Sequence, residues 1–234
     1  MPDSLTIRPV ARVRSDFSQK FGIPRQSGLV EDLEASLVFE PEFRDPNALR
    51  GLEGLSHLWL IWGFSRSFGC GWSPTVRPPR LGGNRRLGVF ATRSPFRPNP
   101  IGLSCVRILG VDLQTPDGPV IRVGGADLMD GTPVYDIKPY VPYADCRPEA
   151  GGGFASAAPR PVLSVEFPEP LLYRVPAEKR SALLGILALD PRPSYQEDPD
   201  RVYGLSFAGL EIGFRVAGKT LTVLRLDPAA PPES

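Results

Sequence analysis

The sequence predicts a mainly β protein, with an N-terminal β-barrel over residues 1–150 and a small C-terminal α+β domain over residues 160–234. Short apolar runs alternate with period two through the first half, the spacing that sends successive side chains to opposite faces of a strand. Proline and glycine are abundant, at 28 and 24 of 234 residues. Proline gathers at sheet edges and turns, so many short strands fit this composition and long helical bundles do not. Finally, a small-residue stretch at 150–158 reads as a linker, and the residues after it follow a different pattern.

Taken in order, Leu5, Ile7 and Val13 share one face while Thr6, Arg8, Arg12 and Arg14 share the other. Leu33, Ala35, Leu37 and Phe39 oppose Glu34, Ser36 and Glu40, which describes a half-buried strand. A helix is expected over residues 45–55, opened by Asp45 as N-cap and Pro46 at the first helical position. In the next strand Leu58, Leu60, Trp62 and Phe64 face one way and Trp59 and Ile61 the other, so both faces are expected to be buried. Residues 87–92, 101–111 and 120–123 continue the series, with a Pro/Asp/Gly turn at 115–119. Short strands with scant helix between them point to a closed or nearly closed sheet. Beyond the linker, a strand is expected over 162–167. A helix over 176–189 follows, with Ala182, Leu183, Ile186 and Leu187 on one face and Pro191 as its stop. Leu210, Ile212, Phe214 and Val216 then alternate into a turn at 217–219 and a last strand over 221–226.

Charge is distributed unevenly. Residues 54–111 contain no Asp and no Glu but eight arginines: Arg66, Arg77, Arg80, Arg85, Arg86, Arg93, Arg97 and Arg107. The chain as a whole carries a net charge of only +1. Arginine presents a planar fork of donors that matches phosphate and also stacks on bases, so an acid-free block of this kind is the footprint of a polyanionic partner. Codon preference contributes to the arginine count, since lysine occurs only at Lys20, Lys138, Lys179 and Lys219, but it does not explain why acids vanish over the same stretch.

Several chemistries are excluded. Cys70, Cys105 and Cys146 lie far apart and His57 is the sole histidine, so no zinc site of ordinary spacing can be assembled and no bound metal is expected. His57 reads as a hydrogen-bonding residue at a strand entry rather than a general base. No nucleophile elbow, P-loop or dinucleotide fingerprint is present; Gly69-Cys70-Gly71 lacks a third glycine and follows no βαβ unit. The odd cysteine count and the absence of a secretory signal or of an apolar run long enough to span a bilayer predict a soluble, cytoplasmic protein.

Three segments are denser in special residues than folding requires. In residues 20–28, Pro24 fixes the backbone before Arg25 and Gln26, and Gly28 frees it after them. In residues 77–104, Pro95, Pro98 and Pro100 stiffen a connection that displays Arg93, Arg97 and Asn99. In residues 126–140, three carboxylates, a glycine turn, Lys138 and two tyrosines crowd into fifteen positions.

The phrases FGIPRQSGL, GLEGLSHLWLIWGF, WSPTVRPPRLGGNRRLGVFATRSPFRPNPIGLS and DLMDGTPVYDIKPYVPYAD, with ALDPRPSY nearer the C-terminus, resemble the TrmO-like tRNA adenine-N6 methyltransferases, also called TsaA-like β-barrel proteins. The resemblance is dense from about Thr6 to Asp145 and sparse beyond. It implies a non-Rossmann barrel that binds S-adenosylmethionine, acts as a homodimer, and methylates N6 of threonylcarbamoyladenosine at position 37 of threonine tRNA. Carried over by position, the cofactor-binding residues would be Pro24, Arg25, Gln26, Phe64, Ser65, Arg93, Leu103, Asp127, Leu128, Met129 and Asp130. Where relatives can carry a His-Gln pair, this chain has Ser65-Arg66. The acceptor nitrogen is urea-like and must lose a proton; Asp130, Asp136 or Tyr140 would accept it, with Arg93 or Lys138 steadying the threonyl carboxylate. Arg77, Arg80, Arg85, Arg86 and Arg97 would contact RNA phosphates or that carboxylate. The competing functions are a non-catalytic RNA-binding barrel and a methyltransferase for another RNA or a small metabolite.

Overall fold

The structure, a computed structural model, describes residues 4–81, 85–156, 163–192 and 198–229. Six antiparallel strands close into a barrel: β1 (Ala11–Ser15), β2 (Glu34–Phe39), β3 (His57–Gly63), β6 (Ile101–Thr115), β7 (Gly118–Gly124) and β8 (Pro133–Pro139). Around the barrel the order is β1-β2-β7-β6-β3-β8. The seam is short. β8 returns to β1 through Ala11↔Val134 and Arg12↔Pro133, extended by Val13 N donating to Thr132 O at 3.0 Å. Two further strands, β4 (Thr75–Val76) and β5 (Leu87–Gly88), form a small ribbon of their own.

The alternation read from sequence sets the inside of this barrel. Leu37, Leu58, Leu60, Ile121, Val123 and Val134 are fully buried, while Trp59 and Ile61 of the two-faced strand are only half-buried on its outer side. Closure puts one face of every strand inside, so the expectation that β3 is buried on both sides gives way to a single buried face.

Two other elements differ from expectation. Residues 45–55 form two short 3₁₀ turns, Pro46–Leu49 and Leu52–Gly54, rather than one helix. Asp45 does cap the first, accepting from Asn47 N at 2.9 Å, but Gly51 at φ 94° turns the chain left-handed and ends propagation. The strand expected over 87–92 stops at Gly88 and becomes a 3₁₀ turn at Val89–Ala91. Strand β8 falls within the segment read for its polar residues, where those residues obscured its alternation.

The C-terminal half is a four-stranded sheet ordered β10-β11-β12-β9, built from β9 (Ser164–Glu166), β10 (Tyr203–Phe207), β11 (Leu210–Ala217) and β12 (Thr220–Pro228). Beside it lie the short helix α2 (Glu169–Leu172) and the longer α3 (Ala177–Ala188), which buries Ala182, Leu183, Ile186 and Leu187 as the spacing predicted. The short helix α1 (Pro142–Asp145) instead lies against the barrel, where Asp145 accepts from Trp59 Nε1 at 3.0 Å. Parts of the expected linker at 150–158 and of the ALDPRPSY phrase lie outside the described residues.

The described residues form two hydrophobic cores. One fills the barrel. The other is formed by the C-terminal sheet and α3, but it also takes Phe17, Val30 and Leu33 from the connection between β1 and β2. That connection therefore packs on residues far along the chain before it returns to the barrel.

Candidate active site

One end of the barrel opens into a cavity of about 700 Å³. The ends of β1, β3 and β7 and the starts of β2, β6 and β8 all meet there, so residues remote in sequence line one wall. The β1–β2 connection contributes Pro24, Arg25 and Gln26, the end of β3 contributes Trp62, Phe64 and Ser65, and β6 contributes Gly102 and Leu103. Asp127, Leu128 and Met129 arrive on the β7–β8 turn, and the proline-rich 90–99 segment supplies Phe90, Arg93 and Arg97.

Asp127 is the one carboxylate on this wall among the described residues. Ser104, buried on β6, donates its hydroxyl to Asp127 Oδ1 at 2.7 Å and accepts from Trp62 Nε1–H at 3.0 Å. The chain of bonds fixes both the indole and the carboxylate. Burial pushes the Asp127 carboxyl above the ordinary carboxylate range, opposed by the Ser104 bond and, more weakly, by Arg93 and the Ser27 backbone. An acid in that state favours a cationic neighbour.

The rim carries arginines of the acid-free block. Arg93 donates to Gln26 Oε1, which ties the 90–99 segment to the β1–β2 connection across the cavity mouth. Arg97 donates to Thr92 O at 3.2 Å and Arg86 to Thr75 Oγ1 at 2.8 Å. Among the described residues, no arginine of the 54–111 block forms an ion pair, whereas Arg8, Arg12 and Arg14 pair with Glu42, Glu40 and Asp117. Unneutralised arginines beside a cavity give a local positive field that favours anions.

Both halves of the chain match family models. The one described as tRNA-methyltransferase O N-terminal domain covers residues 12–146, and the TrmO C-terminal domain covers 160–229. The chain belongs to the TrmO family. A tRNA (adenine(37)-N6)-methyltransferase of Escherichia coli K12 is 40% identical over 233 residues, covering 96% of this chain and 99% of that protein. A Pseudomonas aeruginosa relative named as an S-adenosylmethionine-dependent methyltransferase is 42% identical over 215 residues, 88% of this chain and 90% of its own. A crystal structure of TrmO from P. aeruginosa superposes with a TM-score of 0.78 at 35% identity, covering 98% and 99% of the two chains.

In this TrmO chain, the cavity wall gathers Pro24, Arg25, Gln26, Phe64, Ser65, Arg93, Leu103, Asp127, Leu128 and Met129. Asp130 is not on it: its Oδ1 accepts from Ser15 N at 3.0 Å on the exposed side of the turn. Asp136 and Lys138 pair with each other at 2.8 Å on β8, and Tyr140 packs its ring against Trp59 on the outer barrel face. These three also lie off the cavity wall. Arg97 lines the cavity, while Arg77, Arg85 and Arg86 are exposed beyond its rim; the Arg80 side chain lies outside the described residues. Sequence reading passed over Ser104, Gly102 and Phe90. Phe90 is 74% exposed on a turn whose neighbour Val89 is buried, an exposed aromatic that the alternation assigned to a strand.

Proposed function

We propose that this chain is an S-adenosylmethionine-dependent tRNA methyltransferase that methylates N6 of threonylcarbamoyladenosine at position 37, beside the anticodon of threonine tRNA. The observation that carries this reading is the juxtaposition of a cavity holding one half-buried carboxylate with an arginine rim that, among the described residues, forms no ion pair. A volume of about 700 Å³ lies within the roughly 300–1,000 Å³ range of small-molecule sites. The aromatic and apolar wall of Trp62, Phe64, Leu103 and Leu128 suits an adenosine, and Asp127 suits the positive charge of a sulfonium or an α-ammonium.

When bound, S-adenosylmethionine supplies an electrophilic methyl group on a sulfonium. The protein's contribution is mainly alignment and exclusion of water, and positioning of this kind supplies most of the acceleration in such a displacement. Asp127 would lie against the positive charge of the bound donor, and its raised proton affinity suits it to take the proton that the acceptor nitrogen must lose. Arg93 and Arg97 hold the threonyl carboxylate, and Arg66, Arg77, Arg85 and Arg86 meet phosphates.

The enzyme works in the cytoplasm as a homodimer. Sedimentation equilibrium reads that assembly directly, and a monomer at micromolar concentration contradicts it. For the activity, purified protein is incubated with labelled S-adenosylmethionine and total tRNA, followed by nucleoside analysis. Label in the threonylcarbamoyl nucleoside is the expected result, and its absence in the presence of donor binding overturns the assignment.

A further inference from the structure

The Pro24-Arg25-Gln26 lip takes no part in the barrel's strand pairing, and its flanks are fastened to the C-terminal unit. Phe17 packs on Phe207 with ring centroids 5.3 Å apart. Ala208 N donates to Asp16 O at 3.0 Å, and Lys179 Nζ pairs with Asp16 Oδ2 at 2.6 Å, both side chains mostly buried. Gln19 Nε2 donates to Ser206 Oγ at 2.5 Å, and that hydroxyl donates in turn to Glu211. Gly22, at φ 87°, sits so close to Leu205 that an ideal Cβ would overlap Leu205 Cδ1. On the far side of the lip, Ser181 donates to Asp32, and Val30 lies where a side chain on Gly185 would point. Both flanks of residues 20–28 are thus fastened to β10 and α3. The barrel adds a second set of ties: Ser15 Oγ to Leu128 O at 2.8 Å, Gly28 N to Gly125 O at 2.9 Å, and the Ser27 backbone toward Asp127.

We propose that the C-terminal unit is a positioning element for the methyl-donor site, with Leu205 and Lys179 setting the pose of the Pro24–Gln26 lip and, through Gln26, of Arg93. This rests on the reading of the cavity as the donor site. A lip without internal secondary structure has little stability of its own; fastening it at both ends removes entropy that donor binding would otherwise have to remove. The consequence is specific. Loosening the fastening weakens donor binding while leaving the arginine surface outside the lip able to engage RNA.

The test uses the full chain and four variants, Gly22→Ala, Leu205→Ala, Lys179→Met and Lys179→Arg. S-adenosylmethionine affinity is measured by calorimetry, tRNA affinity by filter binding, and amide exchange is followed over residues 20–28. Wild-type binding is established first, because a wild-type protein that does not bind the donor refutes the reading of the cavity rather than the fastening. The expected result is a donor Kd raised about tenfold in Gly22→Ala and severalfold in Leu205→Ala and Lys179→Met, with faster exchange at the lip, tRNA affinity within about twofold, and wild-type behaviour in Lys179→Arg. Unchanged donor affinity in folded Gly22→Ala and Lys179→Met overturns the proposal. So does an equal loss of donor and tRNA affinity. Should Gly22→Ala fail to fold, the comparison of Lys179→Met with Lys179→Arg decides.

Discussion

The Ser104 hydroxyl donates to Asp127 Oδ1 across 2.7 Å, joining β6 to the β7–β8 turn at the wall of the cavity. The bond compensates only part of the cost of placing a carboxylate there, because burial remains the larger influence on its protonation. The site is therefore built for a charge that arrives with the ligand.

Replacing that charge gives a pH signature. Asp127→Asn is expected to weaken donor binding about ten- to a hundredfold at neutral pH, in line with roughly 1.5–3 kcal/mol for a hydrogen bond to a charged group. In the wild type, donor affinity declines as pH falls through the raised Asp127 pKa, since protonation removes the cation's partner; in Asp127→Asn the profile is flat. Stability has the opposite sign. With its folded pKa raised, Asp127 binds a proton more readily in the native state, so without donor the fold loses stability as pH rises from the unfolded to the folded pKa. Asp127→Asn therefore melts no lower than wild type at neutral pH without donor. Calorimetry across pH and thermal melts check both statements.

Gly102 lies beneath the Trp62 indole, where an ideal Cβ would overlap the ring. Gly102→Ala is expected to displace Trp62, break its bond to Ser104 and raise the KM for the donor at least severalfold while the barrel stays folded. Partial recovery in Gly102→Ala/Trp62→Phe, which relieves the overlap without restoring the indole N–H, separates sterics from hydrogen bonding. Steady-state kinetics read the outcome.

Arg85 and Arg86 are exposed and stand outside the cavity wall. Arg85→Ala/Arg86→Ala should weaken tRNA binding, flatten the salt dependence of log Kd by about 1.5 to 2, and leave donor affinity unchanged. Equal losses of both affinities in salt-series filter binding and calorimetry would refute the division between rim and cavity.

Phe90 projects at the cavity mouth with 74% of its surface exposed, and Thr92 N and Oγ1 both bond to Val89 O to hold its turn. Phe90→Ala is expected to lower kcat/KM for tRNA about tenfold, the loss of one stacked base at roughly 1–3 kcal/mol, with Phe90→Trp retaining function. A change in donor affinity instead would assign the ring to the cofactor.

Most of the strands were legible because alternation is a local signal that a closed sheet converts directly into inside and outside. The helix α3 was legible for the same reason, its apolar face recurring at helical spacing. Residues 45–55 were not, since a sound N-cap at Asp45 says how a helix starts and not whether Gly51 will end it after one turn. The motif at 126–140 drew attention to its acids, but which acid enters the cavity depends on a turn. Asp127 points in and Asp130 is spent on the Ser15 amide.

The sequence by itself determined most of the barrel's strands, the acid-free arginine block and the residue types of the cofactor segments, all of which are properties of neighbours along the chain. The tertiary structure alone decided that Ser104 and Trp62 orient Asp127, that Asp136, Lys138 and Tyr140 lie off the cavity wall, and that β10 and α3 hold the lip between β1 and β2. Those relations join residues from 23 to 192 positions apart, and at such separations no local periodicity survives. They are fixed only when burial brings the two cores together around the same loop.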